Sequence, residues 1–164
     1  MIEKYIMRLN EEAPFTTLHF DITLILLKYA KSSERANKAS PYASKYMPAI
    51  PLAQYIERIS IYTQLNDETL ISALIYIDRL IVNKKMLVTA HDVHRLLLVA
   101  CIVSMKFHYD NYYDNLYYST VSGLPLKELN YLELEFLEDI GYHLTIKKKL
   151  YNRYKKAISL YKRK

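Results

Sequence analysis

Glycine is nearly absent from this sequence, because only Gly123 and Gly141 occur among 164 residues. Loops that bind phosphate groups need clustered glycines so that backbone amides can approach the phosphate oxygens. The sequence therefore argues against P-loop enzymes, dinucleotide-binding domains and protein kinases. Folds rich in tight β-hairpins are disfavoured for the same reason, since their turns depend on glycine.

Cysteine and long apolar runs are also scarce. Cys101 is the single cysteine and lies within the apolar stretch LLLVACIVSM, so the chain cannot form an internal disulfide. We expect this thiol to act as a small core hydrophobe rather than a nucleophile. The longest apolar run, residues 96–103, is too short to span a bilayer, and acidic residues interrupt the start of the chain where a signal peptide would be apolar. We therefore expect an intracellular protein, in the cytoplasm, the nucleus or both, that does not act at a membrane.

Acidic residues are missing from one end of the chain. Residues 147–164 contain nine Lys or Arg and no Asp or Glu, whereas the remaining residues carry 14 basic and 17 acidic groups. Such a basic segment can bind nucleic acid or an anionic membrane. The helical spacing of Leu150, Tyr154, Ile158 and Tyr161 instead favours a solvated helix with these four side chains on its inner face.

Hydrophobic periodicity and boundary residues predict an all-α protein of five or six helices with no strand. Residues 31–48 contain two prolines without regular periodicity and are predicted to be an irregular linker. The predicted helices lie near residues 17–29, from Pro51 to 64, from Asn66 to about 82, from Thr89 to about 107, within 108–123, and from Pro125 to Gly141. Asn66 and Thr89 are the predicted N-terminal caps of their helices, and Gly141 is the predicted left-handed cap that ends the last one.

Asp78 in the stretch ALIYIDRL occupies an unusual position on the third predicted helix. At about 100° per residue it falls within the apolar arc that contains Leu74 and Ile75, whereas Arg79 falls outside that arc. We therefore expect Asp78 to be buried or half-buried, and a buried carboxylate needs hydrogen bonds or a cation. The favoured interpretation is an internal polar link.

Glu133 shows a similar anomaly on the last long predicted helix. It falls in the middle of the stripe formed by Leu129, Leu132 and Phe136, while the other acids of this helix lie on the far side. This placement indicates either an internal partner or a partner supplied by another protein. Lys106 is less diagnostic, because its position is compatible with the solvated edge of its own helix.

Four stretches carry motifs in a consistent order and together cover roughly residues 18–146. They are PAI followed by YIERI, then NDETLISALIYIDRL, SMKFHYDNYY and STVSGLPLKELNYLELEFLEDIGYHL. These motifs resemble the cyclins, most closely the P/U-type class that includes the yeast phosphate-pathway cyclins. The resemblance implies an N-terminal helix and polar linker at 1–48, a five-helix cyclin box at 49–146 and a basic C-terminal helix at 147–164.

The same resemblance implies a function without catalysis and without a cofactor. A cyclin binds a cyclin-dependent protein kinase, contacting its C-helix and activation loop, and stabilises its active conformation in cell-cycle or nutrient-response regulation. Lys106 and Glu133 match the lysine and glutamate that contact the kinase C-helix. The hydrophobic neighbours implied by the match are Phe107, Leu137, Tyr142 and Leu144.

The sequence departs from the general cyclin pattern at the partner of Asp78. Many cyclins pair the matching aspartate with an arginine early in the first box helix, but Ala49 and Ile50 occupy that place here. Arg58 is the candidate replacement.

Two other classes of function are compatible with particular residues. A cyclin-box-like nucleic-acid or transcription-factor module would use the basic tail, although the rest of the chain is net acidic. A metal-dependent hydrolase would use His91, Asp92 and His94, but no further cluster completes that site, and first-turn helix positions are the commoner role. The tyrosines at 109, 112, 113, 117 and 118 could stack on bases, and we interpret them as packing residues whose hydroxyls reach the surface.

Overall fold

The computed structural model describes residues 17–32 and 40–161, and these contain helices and no strand, which confirms the all-α prediction. The helices are α1 (Thr17–Ser32), α2 (Leu52–Thr63), α3 (Asp67–Lys84), α4 (Val93–His108), α5 (Asn115–Ser122), α6 (Leu126–Asp139) and α7 (Lys148–Tyr161). Within the described ranges, no helix combines the length and the apolar character needed to cross a bilayer.

Helices α3 and α4 form the centre of the molecule. They pack along each other, and α4 also contacts α1, α2 and α6. Every residue of α4 from Val93 to Met105 except Arg95 is buried, as expected for a helix that is apolar on nearly all sides. Cys101 is fully buried there, and burial raises the pKa of its thiol to about 12, which agrees with a core role.

Local capping interactions determine where two of the helices begin. Asn66 caps α3 as predicted, because its side chain accepts from the Thr69 amide at 2.9 Å while the Thr69 hydroxyl accepts from the Asn66 amide at 3.2 Å. Asp114 begins α5 in a similar way, accepting from the Tyr117 amide at 2.8 Å.

The start of α4 differs from the prediction, because Thr89 lies outside the helix and α4 begins at Val93. Residues 89–92 form a tight turn in which the Asp92 amide donates to the Thr89 carbonyl at 3.0 Å. The Asp92 carboxylate turns back and accepts from the Thr89 amide at 2.7 Å and from its hydroxyl at 2.6 Å. These bonds stabilise a turn before the helix rather than a first helical turn.

Residues 40–48 are irregular, as expected for the linker, but they are firmly attached to the body of the protein. Tyr42 is fully buried, packs edge-on against Phe136 at 6.3 Å between ring centroids, and donates its hydroxyl to Asp139 at 2.8 Å. Arg95 also donates to the Ala43 carbonyl at 2.9 Å. In the rest of the predicted linker, residues 31 and 32 belong to α1 instead, and residues 33–39 lie outside the described residues.

The basic helix α7 packs against α1 and α3 with the predicted inner face. Ile158 is buried, and Leu150, Tyr154 and Tyr161 are half-buried. The Lys28 ammonium lies 5.5 Å from the centroid of the Tyr161 ring, in cation–π geometry. This packing confirms the solvated-helix interpretation up to residue 161.

His94 should make the stability of this fold depend on pH. Its Nε2 lies 2.8 Å from the Ile50 carbonyl oxygen, and burial lowers the pKa of the ring below its ordinary value of 6.5. Around and below pH 6.5, His94 therefore binds fewer protons in the folded chain than in the unfolded chain. The free energy of unfolding should thus fall as the pH decreases through 6.5 towards the lowered pKa. Melting temperatures measured between about pH 7.5 and about pH 5.5 should decrease more steeply for wild type than for His94→Gln. The exposed His143→Gln serves as the control, and equal slopes for wild type and His94→Gln would contradict the assignment.

Candidate functional site

Lys106 and Glu133 meet between the end of α4 and the middle of α6. The Lys106 Nζ lies 2.6 Å from Glu133 Oε1 and 2.9 Å from Oε2, and the two side chains are 26% and 15% exposed. Glu133 is therefore half-buried within its apolar stripe, and it has the internal partner that its position on the helix suggested. The pair is still open to solvent on one side, so another protein could reach it.

Asn115, at the start of α5, holds the same carboxylate from a third helix. Its Nδ2 lies 2.6 Å from Glu133 Oε2 and 2.7 Å from Asn130 Oδ1. Because an ionised carboxylate only accepts hydrogen bonds, the amide nitrogen of Asn115 must be the atom that faces Glu133. The Asn115 Oδ1 atom is buried without a hydrogen-bond partner in the structure. No sequence signal indicated this residue, since the Asp114 cap fixes where α5 begins but not what α5 faces.

The four hydrophobic residues implied by the cyclin resemblance differ in exposure. Phe107 is 47% exposed and Tyr142 is 59% exposed, whereas Leu137 and Leu144 are half-buried and pack against the core. Leu137 lies one helical turn beyond Glu133. By the resemblance to cyclins, six residues match kinase-contacting positions, and the name α4–α6 surface is used for them below. They are Lys106, Phe107, Glu133, Leu137, Tyr142 and Leu144.

Two successive left-handed residues turn the chain after α6. Gly141 has φ 62°, as its predicted capping role requires, and a Cβ placed there would lie 3.1 Å from His143 Nδ1. Tyr142 also has a positive φ, 56°, which is unfavourable for a bulky residue. Its amide donates to the Leu137 carbonyl at 2.8 Å, and its side chain extends into solvent. Strained backbone positions of this kind cluster at functional sites.

The prediction that Asp78 is buried is wrong, because its side chain is exposed. Asp78 accepts a hydrogen bond from the hydroxyl of Tyr154 on α7, at the rim of a groove of about 140 Å³ between α1, α3 and α7. Helix α7 packs against α3, and Leu74 and Ile75 of the predicted arc are buried, whereas the Asp78 side chain remains exposed. Burial and the bond to Asp78 raise the pKa of the Tyr154 hydroxyl, so it remains protonated and can donate.

Arg58, the candidate partner of Asp78, lies elsewhere in the structure. It is exposed on α2 and lines a different groove, between α2 and α5, together with Ile61 and Tyr117. The polar link of Asp78 is therefore made with α7 rather than with α2.

Arg79 lies outside the apolar arc of α3, yet it is half-buried. Its Nη1 donates to the carbonyl of His143, and its Nη2 donates to the carbonyl of Thr145 at 2.9 Å. Tyr76, one turn earlier, is fully buried and donates its hydroxyl to the Leu144 carbonyl at 2.7 Å. Neither interaction is predictable from the sequence pattern, because the acceptors lie on a segment more than 60 residues away.

The residues considered for a metal site have separate structural partners. The His91 Nδ1 lies 3.0 Å from the Ser44 carbonyl, His94 contacts Ile50, and Asp92 binds Thr89. Across residues 17–32 and 40–161, no group of three or more His, Cys, Asp or Glu is arranged to hold a metal ion. The geometry gives no support to a hydrolase centre at these positions.

Most of the tyrosines between α4 and α5 pack against one another. The rings of Tyr113 and Tyr117 stack at 4.1 Å between centroids, and Tyr118 is 1% exposed. The Tyr117 hydroxyl donates to the Tyr62 carbonyl at 2.7 Å. Tyr112 is the exception and is largely exposed. The packing interpretation therefore holds for Tyr113, Tyr117 and Tyr118, but the Tyr118 hydroxyl is buried and does not reach the surface as predicted.

Comparison with known proteins gives one consistent result. The cyclin family model matches residues 7–144. Cyclin-U4-1 of Arabidopsis thaliana is 34% identical over 121 residues, which are 73% of this chain and 60% of that protein. Cyclin-P4-1 of Oryza sativa subsp. japonica is 35% identical over 114 residues, 69% of this chain and 54% of the relative. The PHO85 cyclin-like protein psl1 of Schizosaccharomyces pombe is 33% identical over 107 residues, 64% of this chain and 44% of that protein. The chain thus spans between 44% and 60% of the length of these relatives.

Proposed function

Because this chain belongs to the cyclin family, we propose that it is a regulatory subunit that binds a cyclin-dependent protein kinase and stabilises the kinase's active conformation. In this role the chain performs no chemistry itself and needs no cofactor. We expect it to act in the cytoplasm or the nucleus, where a lone thiol such as Cys101 remains reduced.

The observation that carries this proposal is the half-buried Lys106–Glu133 pair beside the exposed Phe107 and Tyr142. Three hydrogen bonds from Lys106 and Asn115 fix the carboxylate before any partner arrives. A fixed charge pair provides orientation, and exposed aromatic rings provide the apolar area that dominates binding energy at interfaces. We place these side chains within an interface of standard size, which buries about 800 Å² on each partner.

The mechanism follows from what a protein kinase needs for phosphoryl transfer. Its active site requires an ion pair between a lysine and a glutamate of the C-helix, so that helix must be in its inward position. A partner that binds only the inward state shifts the kinase population towards it. We assign this binding to the α4–α6 surface, with the C-helix and the activation loop as the kinase elements that it contacts.

A reconstituted assay tests the proposal. Phosphate transfer by candidate cyclin-dependent kinases from the source organism is measured with and without the purified protein at physiological salt. We expect one of these kinases to be stimulated and to co-purify with the chain. If no candidate kinase is stimulated and none co-purifies with the chain, the proposed function is contradicted.

A second candidate function, nucleic-acid binding by the C-terminal helix, is favoured by one observation. Six basic side chains of residues 147–156 are all exposed, and no acid occurs in that segment. If this function is correct, binding to duplex DNA or RNA should weaken steeply with salt, and Lys149→Glu/Arg153→Glu should reduce it. Lys127→Glu on α6 is a matched control at another exposed lysine. Equal binding by the two variants would eliminate this candidate.

A further inference from the structure

Three successive backbone carbonyls after α6 are held by one turn of α3. The carbonyls of His143 and Thr145 accept from the two terminal nitrogens of Arg79, and the carbonyl of Leu144 between them accepts from Tyr76. The name clamp is used below for Tyr76 and Arg79. These bonds involve neither Lys106 nor Glu133. The clamp therefore acts on the part of the α4–α6 surface that contains Tyr142 and Leu144.

The clamp is itself rigid. Tyr76 is fully buried in the core, and the Arg79 guanidinium carbon lies 5.7 Å from the centroid of its ring. The planar guanidinium presents two nitrogens in a fixed fork, which allows one side chain to hold two carbonyls on alternate residues. A lysine at position 79 would keep the charge and the aliphatic stem but could not reproduce this geometry.

The segment that the clamp holds has no regular secondary structure, and its other contacts include the packing of Leu144 and Ile146 against the core and a 3.3 Å bond from the His143 amide to the Ile140 carbonyl. Residues 143–147 are neither helical nor extended in a sheet, and they join α6 to α7. This segment contains Leu144 and directly follows Tyr142. Tyr142 has a positive φ and an exposed ring. An irregular segment loses conformational entropy when a partner orders it, and that loss weakens binding. A segment that is already held in place avoids most of this loss.

We propose that Tyr76 and Arg79 are positioning residues for kinase docking, because they hold residues 143–145 so that Tyr142 and Leu144 are presented in a fixed arrangement. This inference rests on the proposed function, since it concerns the same surface. It assigns a role to the Tyr-Ile-Asp-Arg stretch of α3 that does not require contact between that stretch and the kinase.

A double-mutant cycle tests the inference. Arg79→Lys removes the fork, and Tyr76→Phe removes a single hydroxyl. Each should lower kinase affinity by about tenfold in the wild-type background, which is within the range of coupling between residues that share contacts. In the background Tyr142→Ala/Leu144→Ala, the same changes should alter affinity by less than about twofold, because the side chains being positioned are gone. Arg58→Lys, at an exposed arginine of α2, is the matched control and should have no effect in either background.

Amide hydrogen exchange gives a readout that does not need the kinase. Arg79→Lys should accelerate exchange of the Tyr142 and His143 amides, which donate to the Leu137 and Ile140 carbonyls, while the buried amides of α4 keep their protection. Unchanged exchange of the Tyr142 and His143 amides would overturn the inference even if affinity falls. An affinity loss that persists in the double-alanine background would overturn the positioning role and leave the proposed function intact. Failure of the wild-type chain to bind any kinase would overturn both.

Discussion

Glu133→Ala and Lys106→Ala are each expected to eliminate most of the kinase stimulation produced by this chain. Each substitution should weaken binding by about 2–5 kcal/mol, because it leaves the other charge of the pair unpaired when the kinase covers it. Glu133→Ala also removes one of the two acceptors of the Asn115 amide nitrogen, which then keeps only its bond to Asn130. Kinase affinity, measured by titration calorimetry or by stimulation of phosphate transfer, reports the effect directly.

The control for this pair lies on the same helix. Glu138 is exposed on α6, and Glu138→Ala should leave kinase affinity unchanged. The double variant Lys106→Ala/Glu133→Ala should bind more tightly than the sum of the single effects suggests, because no charge remains unpaired. If Glu133→Ala binds the kinase as tightly as wild type, Glu133 is not part of the interface.

Alanine substitution at Phe136 is expected to lower the stability of the fold, whereas alanine substitution at Phe107 is expected to lower kinase affinity. Phe136 is fully buried against Tyr42, so Phe136→Ala should destabilise the fold by about 3–5 kcal/mol. Phe107 is 47% exposed and contributes far less to the core, so Phe107→Ala should change the free energy of unfolding only slightly. As an exposed aromatic in the α4–α6 surface, however, Phe107 should contribute about 2 kcal/mol or more to kinase affinity.

Urea unfolding and kinase affinity, measured on both variants, separate the two roles. The folded fraction of Phe136→Ala should retain near-normal affinity at low temperature, whereas Phe107→Ala should bind weakly although it is stable. Phe136→Leu provides a milder core substitution in case the alanine variant does not fold. Should Phe107→Ala prove as destabilising as Phe136→Ala while binding normally, its side chain would belong to the core and not to the docking surface.

The sequence predicted those parts of the fold that depend on neighbouring residues. Asn66 and Gly141 were identified as helix boundaries because a cap acts within about one turn of the chain. The start of α4 was misplaced because Thr89 and Asp92 form a turn that resembles a cap in sequence. The inner face of α7 was predicted correctly, because apolar residues at helical spacing lie on the side of a helix that packs against the rest of the protein.

Errors and omissions arose where distant segments meet. A helical wheel describes the neighbours of Asp78 on its own helix, but Tyr154 and α7 determine whether its carboxylate is covered. Arg79 was placed outside the apolar arc, and it is half-buried because residues 143–145 cross over it. Glu133 was detectable as an anomaly, whereas its partner Lys106 could be assigned a role only through the resemblance to cyclins.

The bond between Asp78 and Tyr154 has a thermodynamic consequence. The same turn of α3 holds residues 143–145 through the clamp and holds α7 through Asp78, and the chain passes directly from one to the other. We therefore expect order in the segment and attachment of α7 to be linked equilibria. Linkage is reciprocal. If attachment of α7 improves kinase binding, then a bound kinase must strengthen the attachment of α7 by the same factor, and a molecule that detaches α7 must weaken kinase binding.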